Sequence, residues 1–591
     1  MTERNAMDWR LLAAVWLLLA AALAARAIFL GAGGPLLADT DDAMRFVVVR
    51  DLLAGQGWYD NLQYRMNTPY GAEMHWSRLA DLPLALLMLV LRPLLGANAD
   101  LAAAFVVPLL LLLPLLWLTG RIAVALAGRE ALLAGLVLPA LSLSVLAEFN
   151  PGRVDHHSIQ ILLLLTMLWC SIEALARPRF AMGAGFAAAA AIAIGIEALP
   201  SAGAAIVVFG LMWVTAEARA RTLRWFGLSF AGGTVLLLAA TVAPSRWLVP
   251  ACDAISLTYA AAAVGVGIAF AALSLLPVRT LWLRLVAGIA AGGALATLLA
   301  VAFPLCLSGP YAALDPWLLA NWIDRITEAE PFWTRFLEDP VYPLAVAIPC
   351  AVALAAALAP VLGRRRDASG AWLVYAAYLI LAIATMLIQI RASRLATLVA
   401  VPGGAALIAA ARHWYLARPV LPRIAGLALS WIASAGIIVA ALATAATAAF
   451  PAPPGRVSEG ERGSVRACLA PAAFAPLAAM APARLMAPVD LGSHILAFTP
   501  HAVVGAPYHR NQDGVRDTFA FFNGPLADAR TLLAERGIAI IAVCPGMPEV
   551  RGMADADPQS FARLFAAGTL PAWLAPLSPA DAPLQLFRVI P

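Results

Sequence analysis

Long apolar runs alternate with short polar breaks along the first 450 residues, and the alternation stops near Phe450. A helix crossing the hydrocarbon core of a bilayer needs roughly 20 apolar residues. The runs therefore predict thirteen transmembrane spans, at about 11–31, 101–126, 130–148, 158–176, 182–199, 202–216, 226–249, 257–276, 285–304, 341–362, 371–390, 395–411 and 424–450. Arginine-rich loops stay on the cytoplasmic side of a membrane. Arg177 with Arg179, Arg219 with Arg221 and Arg224, Arg279 with Arg284, and the triplet Arg364-Arg365-Arg366 fall at alternate breaks and mark that side. The register places residues 32–100, 149–157 and 305–340 outside. Within the first of these, Pro83, Arg92 and Pro93 interrupt residues 82–95, which predicts a helix lying at the interface rather than across it.

Beyond Phe450, Pro451-Ala452-Pro453-Pro454-Gly455 reads as a linker. Short β-like runs at 484–489, 502–506, 538–543 and 584–590 then alternate with helical ones at 525–536 and 559–567, the pattern of a small α/β domain. The expected architecture is a polytopic α-helical membrane protein of about 13 helices over residues 1–450, followed by an external α/β domain over 451–591. The lack of a targeting extension and the high Ala and Arg content point to a bacterial inner membrane, with the C-terminal domain in the periplasm.

Composition supports this picture. The 591 residues are 62% hydrophobic and 13% charged, about half the charged fraction of a soluble domain. The net charge of +5 is accounted for by basic cytoplasmic loops, so nucleic acid is not an expected partner and the lipid bilayer is. Six cysteines without CxxC spacing argue against a zinc or redox motif. Cys468 and Cys544 both fall in the C-terminal part, where an oxidising compartment could join them; two unrelated buried thiols is the equal alternative.

Two acidic segments interrupt the apolar N-terminal third, Ala38-Asp39-Thr40-Asp41-Asp42 and Gly152-Arg153-Val154-Asp155-His156-His157. Carboxylates beside membrane spans are costly and need a reason beyond solubility. A third external loop carries Glu328, Glu330, Trp317, Trp322 and Trp333. Carboxylate oxygens suit Mg²⁺ or Mn²⁺, and a histidine shifts the balance toward Mn²⁺. Such an ion would neutralise a phosphate leaving group. Arg391 and Arg394, a basic pair on the external side, then make sense as phosphate contacts, because a guanidinium binds phosphate oxygens bidentately.

Each signal has a plainer reading. Asp39 to Asp42 could cap a helix, Glu328 and Glu330 could be surface acids, and Arg391 and Arg394 could snorkel to the interface. The tryptophans of 305–340 suit an interfacial belt. Glu197, near the outer end of the fifth run, could line a cavity or pair with an arginine. The stretch Pro507-Tyr508-His509-Arg510-Asn511 could touch substrate or form a hydrogen-bonded turn. Their convergence on one face favours a site.

Asp41-Asp42-Ala43 followed by Arg50-Asp51-Leu52-Leu53-Ala54-Gly55, then Pro69-Tyr70-Gly71 and His75-Trp76, resembles the first external loop of the catalytic subunits of oligosaccharyltransferases, members of the GT-C glycosyltransferases. The resemblance implies that Asp41, nine residues before Arg50, is catalytic and a metal ligand, with Asp42 as the near alternative. The family's D-x-D or D-x-E motif matches residues 152–157, with Asp155 in the first acidic position and His157 in the second. Arg325-Ile326-Thr327-Glu328-Ala329-Glu330-Pro331 is similar to the family's segment that ends in Glu, two residues and Pro, which carries Glu328 onto its essential glutamate. Arg394, ahead of Pro402, resembles the arginine that contacts the lipid diphosphate, and Arg391 fits nearly as well. The acceptor-reading Trp-Trp-Asp motif appears only as Pro488-Val489-Asp490-Leu491-Gly492, so Asp490 stands without its tryptophans.

The resemblance implies Mg²⁺- or Mn²⁺-dependent transfer of a sugar or oligosaccharide from a polyprenyl phosphate or diphosphate to a glycan, lipid or protein acceptor. On this reading Asp41, Asp155 and His157 hold the metal; Asp41, Asp42 and Glu328 are catalytic; Arg394 and Arg391 bind the donor phosphates; and Glu330, Asp490, His509 and Arg510 face the acceptor. N-linked protein glycosylation is the alternative, opposed by the missing tryptophans. A lipid-linked sugar transporter is a second one, although the paired halves and broken midplane helices common in transporters are not evident.

Overall fold

The computed structural model describes residues 7–29, 36–362, 369–448, 465–553 and 556–590. The Arg364-Arg365-Arg366 triplet and the 451–455 linker lie outside these residues. The first span is α1 (Trp9–Phe29), followed by the helix α2 (Thr40–Leu53) and a short antiparallel hairpin, β1 (Leu62–Gln63) with β2 (Ala72–Glu73). Next come α3 (Leu82–Leu95) and, through a single 3₁₀ turn, the long α4 (Ala99–Ala127). In α3, Leu84, Ala85 and Met88 are buried while Leu86, Leu89, Val90 and Leu94 are exposed, the one-sided burial of a helix at a lipid boundary.

The third apolar run departs from expectation. It is α5 (Leu132–Val137) and α6 (Leu143–Glu148), separated by a 3₁₀ turn at Leu138–Leu141. Pro139 lacks the N–H that a continuous helix requires, and the Ser142 hydroxyl accepts from the Ser144 N–H and so starts a new helix. The break leaves Glu148, at the end of α6, where Arg153 joins it to Asp42 of α2.

The bundle continues with α7 (His157–Glu173), α8 (Phe180–Ile194), α9 (Leu199–Thr215), α10 (Ala220–Thr241), α11 (Leu257–Leu275) and α12 (Leu281–Ala302). Two short helices of the 305–340 loop follow, α13 (Pro316–Asn321) and α14 (Phe332–Glu338). The remaining spans are α15 (Val341–Leu362), α16 (Ser369–Ile388), α17 (Ser393–Ala417), α18 (Leu421–Ser434) and α19 (Gly436–Thr447). The chain is a multi-pass helical membrane protein. Among the described residues nine helices are long and apolar enough to cross a bilayer, or ten if α18 and α19, bent by 91°, form one span. The other three expected spans are the broken α5–α6 and the short α7 and α8. The shortness of α8 goes with close packing: a Cβ on Gly185 would come within 2.5 Å of the Phe226 carbonyl of α10, an approach only small residues allow.

The C-terminal region holds a five-stranded sheet of order β4-β3-β5-β7-β6, with β3 (Arg484–Met486), β4 (Ala502–Val503), β5 (Ile540–Val543), β6 (Leu574–Pro576) and β7 (Gln585–Val589). Strands β3, β4 and β5 are parallel and β7 is antiparallel to β5. Four strands and the helices Leu526–Arg536 and Phe561–Ala566 stand at the expected runs; β6 and the helices Val489–Phe498 and Gln512–Asn523 were not anticipated.

This region shares one apolar core with the segment between α1 and α3. Met44, Phe46, Met74 and Trp76 are buried in the same cluster as Leu491, Ile495 and Phe522. The Arg65 guanidinium donates to the carbonyls of Leu496 (2.9 Å), Thr499 (3.0 Å) and His501 (3.3 Å), satisfying groups at the C-terminal end of the Val489–Phe498 helix. The 305–340 loop docks there as well: Leu314 and Leu318 pack with Val489, Val515 and Phe519, and Trp317 meets Phe519 edge-on. Disulfides join Cys468 to Cys544 and, without any sequence signal, Cys252 to Cys306.

Glu549, buried in this core, accepts the Val489 N–H at 3.0 Å. Burial and the nearby Asp490 raise its carboxyl from 4.5 to about 7. The folded chain thus keeps a proton that the unfolded chain releases, so this stability is full below about pH 4.5 and lost as pH rises through about 7. The unfolding midpoint of the detergent-solubilised chain is expected to fall from about pH 5 to about pH 8, and Glu549→Gln to flatten that fall. An unchanged slope in the variant contradicts the assignment.

Candidate metal and anion site

Asp39 is the N-cap of α2, its carboxylate accepting the Asp41 N–H at 2.9 Å. This cap fixes the first turn, so Asp41 and Asp42 project from a rigid helix rather than a solvated loop. Asp42 is buried. One carboxylate oxygen accepts the backbone N–H groups of Val154 (2.8 Å) and Asp155 (3.0 Å), and the other accepts from Arg153 at 2.8 Å. With both oxygens engaged, Asp42 ties the two acidic segments together. Arg153 also reaches Asp39 at 3.0 Å and Glu148 at 3.3 Å.

Asp41, by contrast, makes no side-chain hydrogen bond among the described residues. Burial, with Asp155 and Asp39 nearby, holds its carboxyl well above the usual range, and His156 only partly opposes them. Asp155 is buried and lies on the opposite side of the balance. Burial opposes its charge, but His156 and His157 hold its carboxyl well below the usual range. One of its oxygens lies 2.5 Å from His156 Nδ1, and His156 Nε2 lies 2.5 Å from Glu197. Against burial, these two carboxylates raise the His156 imidazole to about 10. A histidine that donates from both nitrogens has no lone pair for a metal.

The ligand atoms of Asp155, His156 and His157 lie within 4.8 Å of one another. Since His156 is committed, the usable donors are the second Asp155 oxygen, His157 Nε2 and the free Asp41 carboxylate. The second Asp155 oxygen is buried, makes no hydrogen bond among the described residues and lies 3.2 Å from His157 Nε2, a spacing that suits two ligands of one cation. His157 Nδ1 lies 3.2 Å from Gln160 Oε1; an N–H donated there leaves Nε2 as an electron-pair donor, the arrangement that supports a metal-bound histidine. The residues present therefore fit a divalent ion.

These donors line a cavity of about 660 Å³ together with Glu328, Arg391 and Arg394. Arg394 spans from Glu148 (3.2 Å) to Glu328 (3.0 Å). The Glu328 carboxylate is more than half exposed, so this second pair is weak and open to replacement by another anion. Arg391 is steadied by Gln389 at 3.1 Å. The structure thus gathers Asp41, Asp42, Asp155, His157, Glu328, Arg391 and Arg394 around one cavity.

The residues read as facing the acceptor do not line it. Glu330 lies 3.7 Å from Arg335 while its carbonyl accepts the Ile390 N–H, which docks its loop on the turn that carries Arg391. Asp490 is exposed at the start of its helix. His509 and Arg510 both grip Asp253, at 2.7 Å each, anchoring the loop between α10 and α11. Sequence reasoning missed Glu148 as a bridge; its signal was an acid at the end of an apolar run. Glu197 was noted, and its partner is a histidine rather than an arginine.

The fold is that of the GT-C membrane glycosyltransferases. Solved structures of the oligosaccharyltransferase of Archaeoglobus fulgidus superpose on it over nearly the whole chain. One, in complex with an inhibitory peptide and a dolichol-phosphate, matches with a TM-score of 0.63 and 12% identity, covering 96% of this chain and 72% of that one. A second, tethered to an acceptor peptide containing the NVT sequon, gives 0.61 and 14% over 96% and 73%. A third, with zinc and sulfate, gives 0.60 and 12% over 92% and 70%. No protein-family model and no curated protein matches the chain.

The two adjacent aspartates are expected to separate by thermal unfolding. Asp42→Ala removes the acceptor for two buried N–H groups and one guanidinium and is expected to cost about 3 kcal/mol, the low end for a broken buried pair because Arg153 keeps Asp39 and Glu148. Asp41→Ala should leave the midpoint unchanged or raise it, since it removes a carboxyl that burial penalises and no side-chain hydrogen bond compensates. Equal loss in both variants contradicts the division of roles.

Proposed function

We propose that the chain is a membrane glycosyltransferase that moves a sugar or oligosaccharide from a polyprenyl phosphate or diphosphate to a glycan, lipid or protein acceptor. The single observation that carries this reading is one cavity lined by the metal-ligating donors Asp41, Asp155 and His157 and by two arginines, on a GT-C fold. Asp41, Asp155 and His157 would hold Mg²⁺ or Mn²⁺. Such an ion, when bound, supplies positive charge beside the departing phosphate.

Arg394 and Arg391 bind the donor phosphates, Arg394 exchanging the exposed Glu328 carboxylate for a phosphate oxygen. Glu328, so released, is free to orient the acceptor nucleophile or take its proton. The nucleophile forms a bond to the anomeric carbon as the bond from that carbon to the phosphate oxygen breaks, and the phosphorylated lipid leaves with the electron pair. The arginines stabilise the charge that develops on it. His156, fixed between Asp155 and Glu197, holds the Asp155 carboxylate in position.

On this reading residues 1–450 form the catalytic membrane part and 451–591 a periplasmic region in a bacterial inner membrane. Support comes from the two disulfides on the site face, which suit an oxidising compartment. The neighbours' bound dolichol-phosphate and sequon peptide are consistent with the lipid donor. The absent tryptophans before Asp490 speak against a sequon as this chain's acceptor.

Purified chain in proteoliposomes should release polyprenyl diphosphate from a glycosylated polyprenyl diphosphate, with water taking the sugar where no other acceptor is supplied, and a chelator should stop the release. Asp41→Ala and Asp155→Ala should each abolish it at unchanged membrane expression, and Arg394→Ala should raise the KM for donor. Full activity in both aspartate variants contradicts the proposal.

A further inference from the structure

A cleft of about 460 Å³ opens between α17 and α18, lined by small residues, among them Ala410, Ala411, Gly426 and Ala433, with Trp414 and Leu429 beside them. Its position follows from α17 itself. That helix begins at the anion site with Arg394 and rises about 1.5 Å per residue, so Trp414 lies roughly 30 Å away, one hydrocarbon thickness. The cleft is therefore at the opposite membrane face from the cavity. A Cβ on Gly426 would come within 2.8 Å of the Trp414 ring, so the indole lies directly against α18 and walls the cleft.

The turn that joins the two helices carries two cations: Arg418, the extended residue that ends α17, and Arg423, in the first turn of α18. The Arg423 guanidinium sits 5.2 Å from the Trp414 ring and donates to its carbonyl at 2.7 Å. Neither arginine has an acidic partner among the described residues. Arg177, at the same membrane face, is paired with Glu173 at 3.1 Å. An apolar slot with an indole at the membrane boundary and two guanidinium-bearing residues without acidic partners in the turn at its end matches a lipid that has an acyl chain and a negative headgroup.

We propose that this cleft binds an anionic phospholipid of that leaflet, its phosphate between Arg418 and Arg423 and an acyl chain along the small residues. The inference is independent of the transferase reading, since it uses none of the residues around the cavity. The test is native mass spectrometry of the full chain in detergent, incubated with phosphatidylglycerol or phosphatidylcholine. Phosphatidylglycerol should be retained on the order of tenfold better. The double variant Arg418→Gln/Arg423→Gln should lose that preference at an unchanged elution profile, whereas Arg177→Gln should keep it. Equal retention of the two lipids, an unaffected double variant, or the same loss in Arg177→Gln overturns the proposal. So does a lipid-free dimer, or displacement of phosphatidylglycerol by a polyprenyl phosphate.

Discussion

The structure depends on one buried carboxylate. Asp42 stands 113 residues before Asp155, yet it accepts that residue's backbone N–H, the N–H of Val154 and the guanidinium of Arg153. A buried carboxylate is tolerated only when its hydrogen-bonding capacity is met, and here three donors from one loop meet it. The pairing does not stop there. Arg153 reaches Glu148, Glu148 reaches Arg394, and Arg394 reaches Glu328, so one line of ion pairs runs from α2 to the 305–340 loop. Each acid and base in that line offsets the desolvation of its neighbour.

That line works only because α2 is held from the other side. The helix Val489–Phe498 packs on α2 within the shared apolar core, and Tyr508 donates to the carbonyl of Thr40. The C-terminal region is thus part of the scaffold that presents Asp41. With Asp42 satisfied by the loop and the helix braced by the C-terminal core, Asp41 is left as the free carboxylate beside Asp155. The division of labour between two adjacent aspartates is a matter of helix geometry: successive residues point about 100° apart, one into the loop and one into the cavity.

Much of this was legible from residue order. Apolar length located the spans, because lipid thickness constrains every helix that faces it. It failed at α7 and α8, whose close neighbours within the bundle make packing, not lipid, the deciding factor, and at α5–α6, where Pro139 and Ser142 outweighed a continuous apolar run. Acids and arginines next to apolar runs were conspicuous on cost alone, which is why Asp41, Asp155, His157, Glu328, Arg391 and Arg394 could be singled out. Partner identity was not legible. Nothing local says that Glu148 bridges two arginines, that His156 is fixed between two carboxylates, or that Cys252 meets Cys306. His509 and Arg510 looked available, yet Asp253, 257 residues from Arg510, occupies both.

The central claim is that Asp41, Asp155 and His157 form a cation pocket beside an arginine that receives a lipid-borne phosphate. A cryo-EM map of the chain with Mn²⁺ and a non-hydrolysable polyprenyl diphosphate analogue tests it most directly. The account predicts an ion within about 2.5 Å of the Asp41 and Asp155 oxygens, with the diphosphate on Arg394 where Glu328 now lies. An ion bound to Asp42 or outside this cavity, or a diphosphate remote from Arg394, would contradict it.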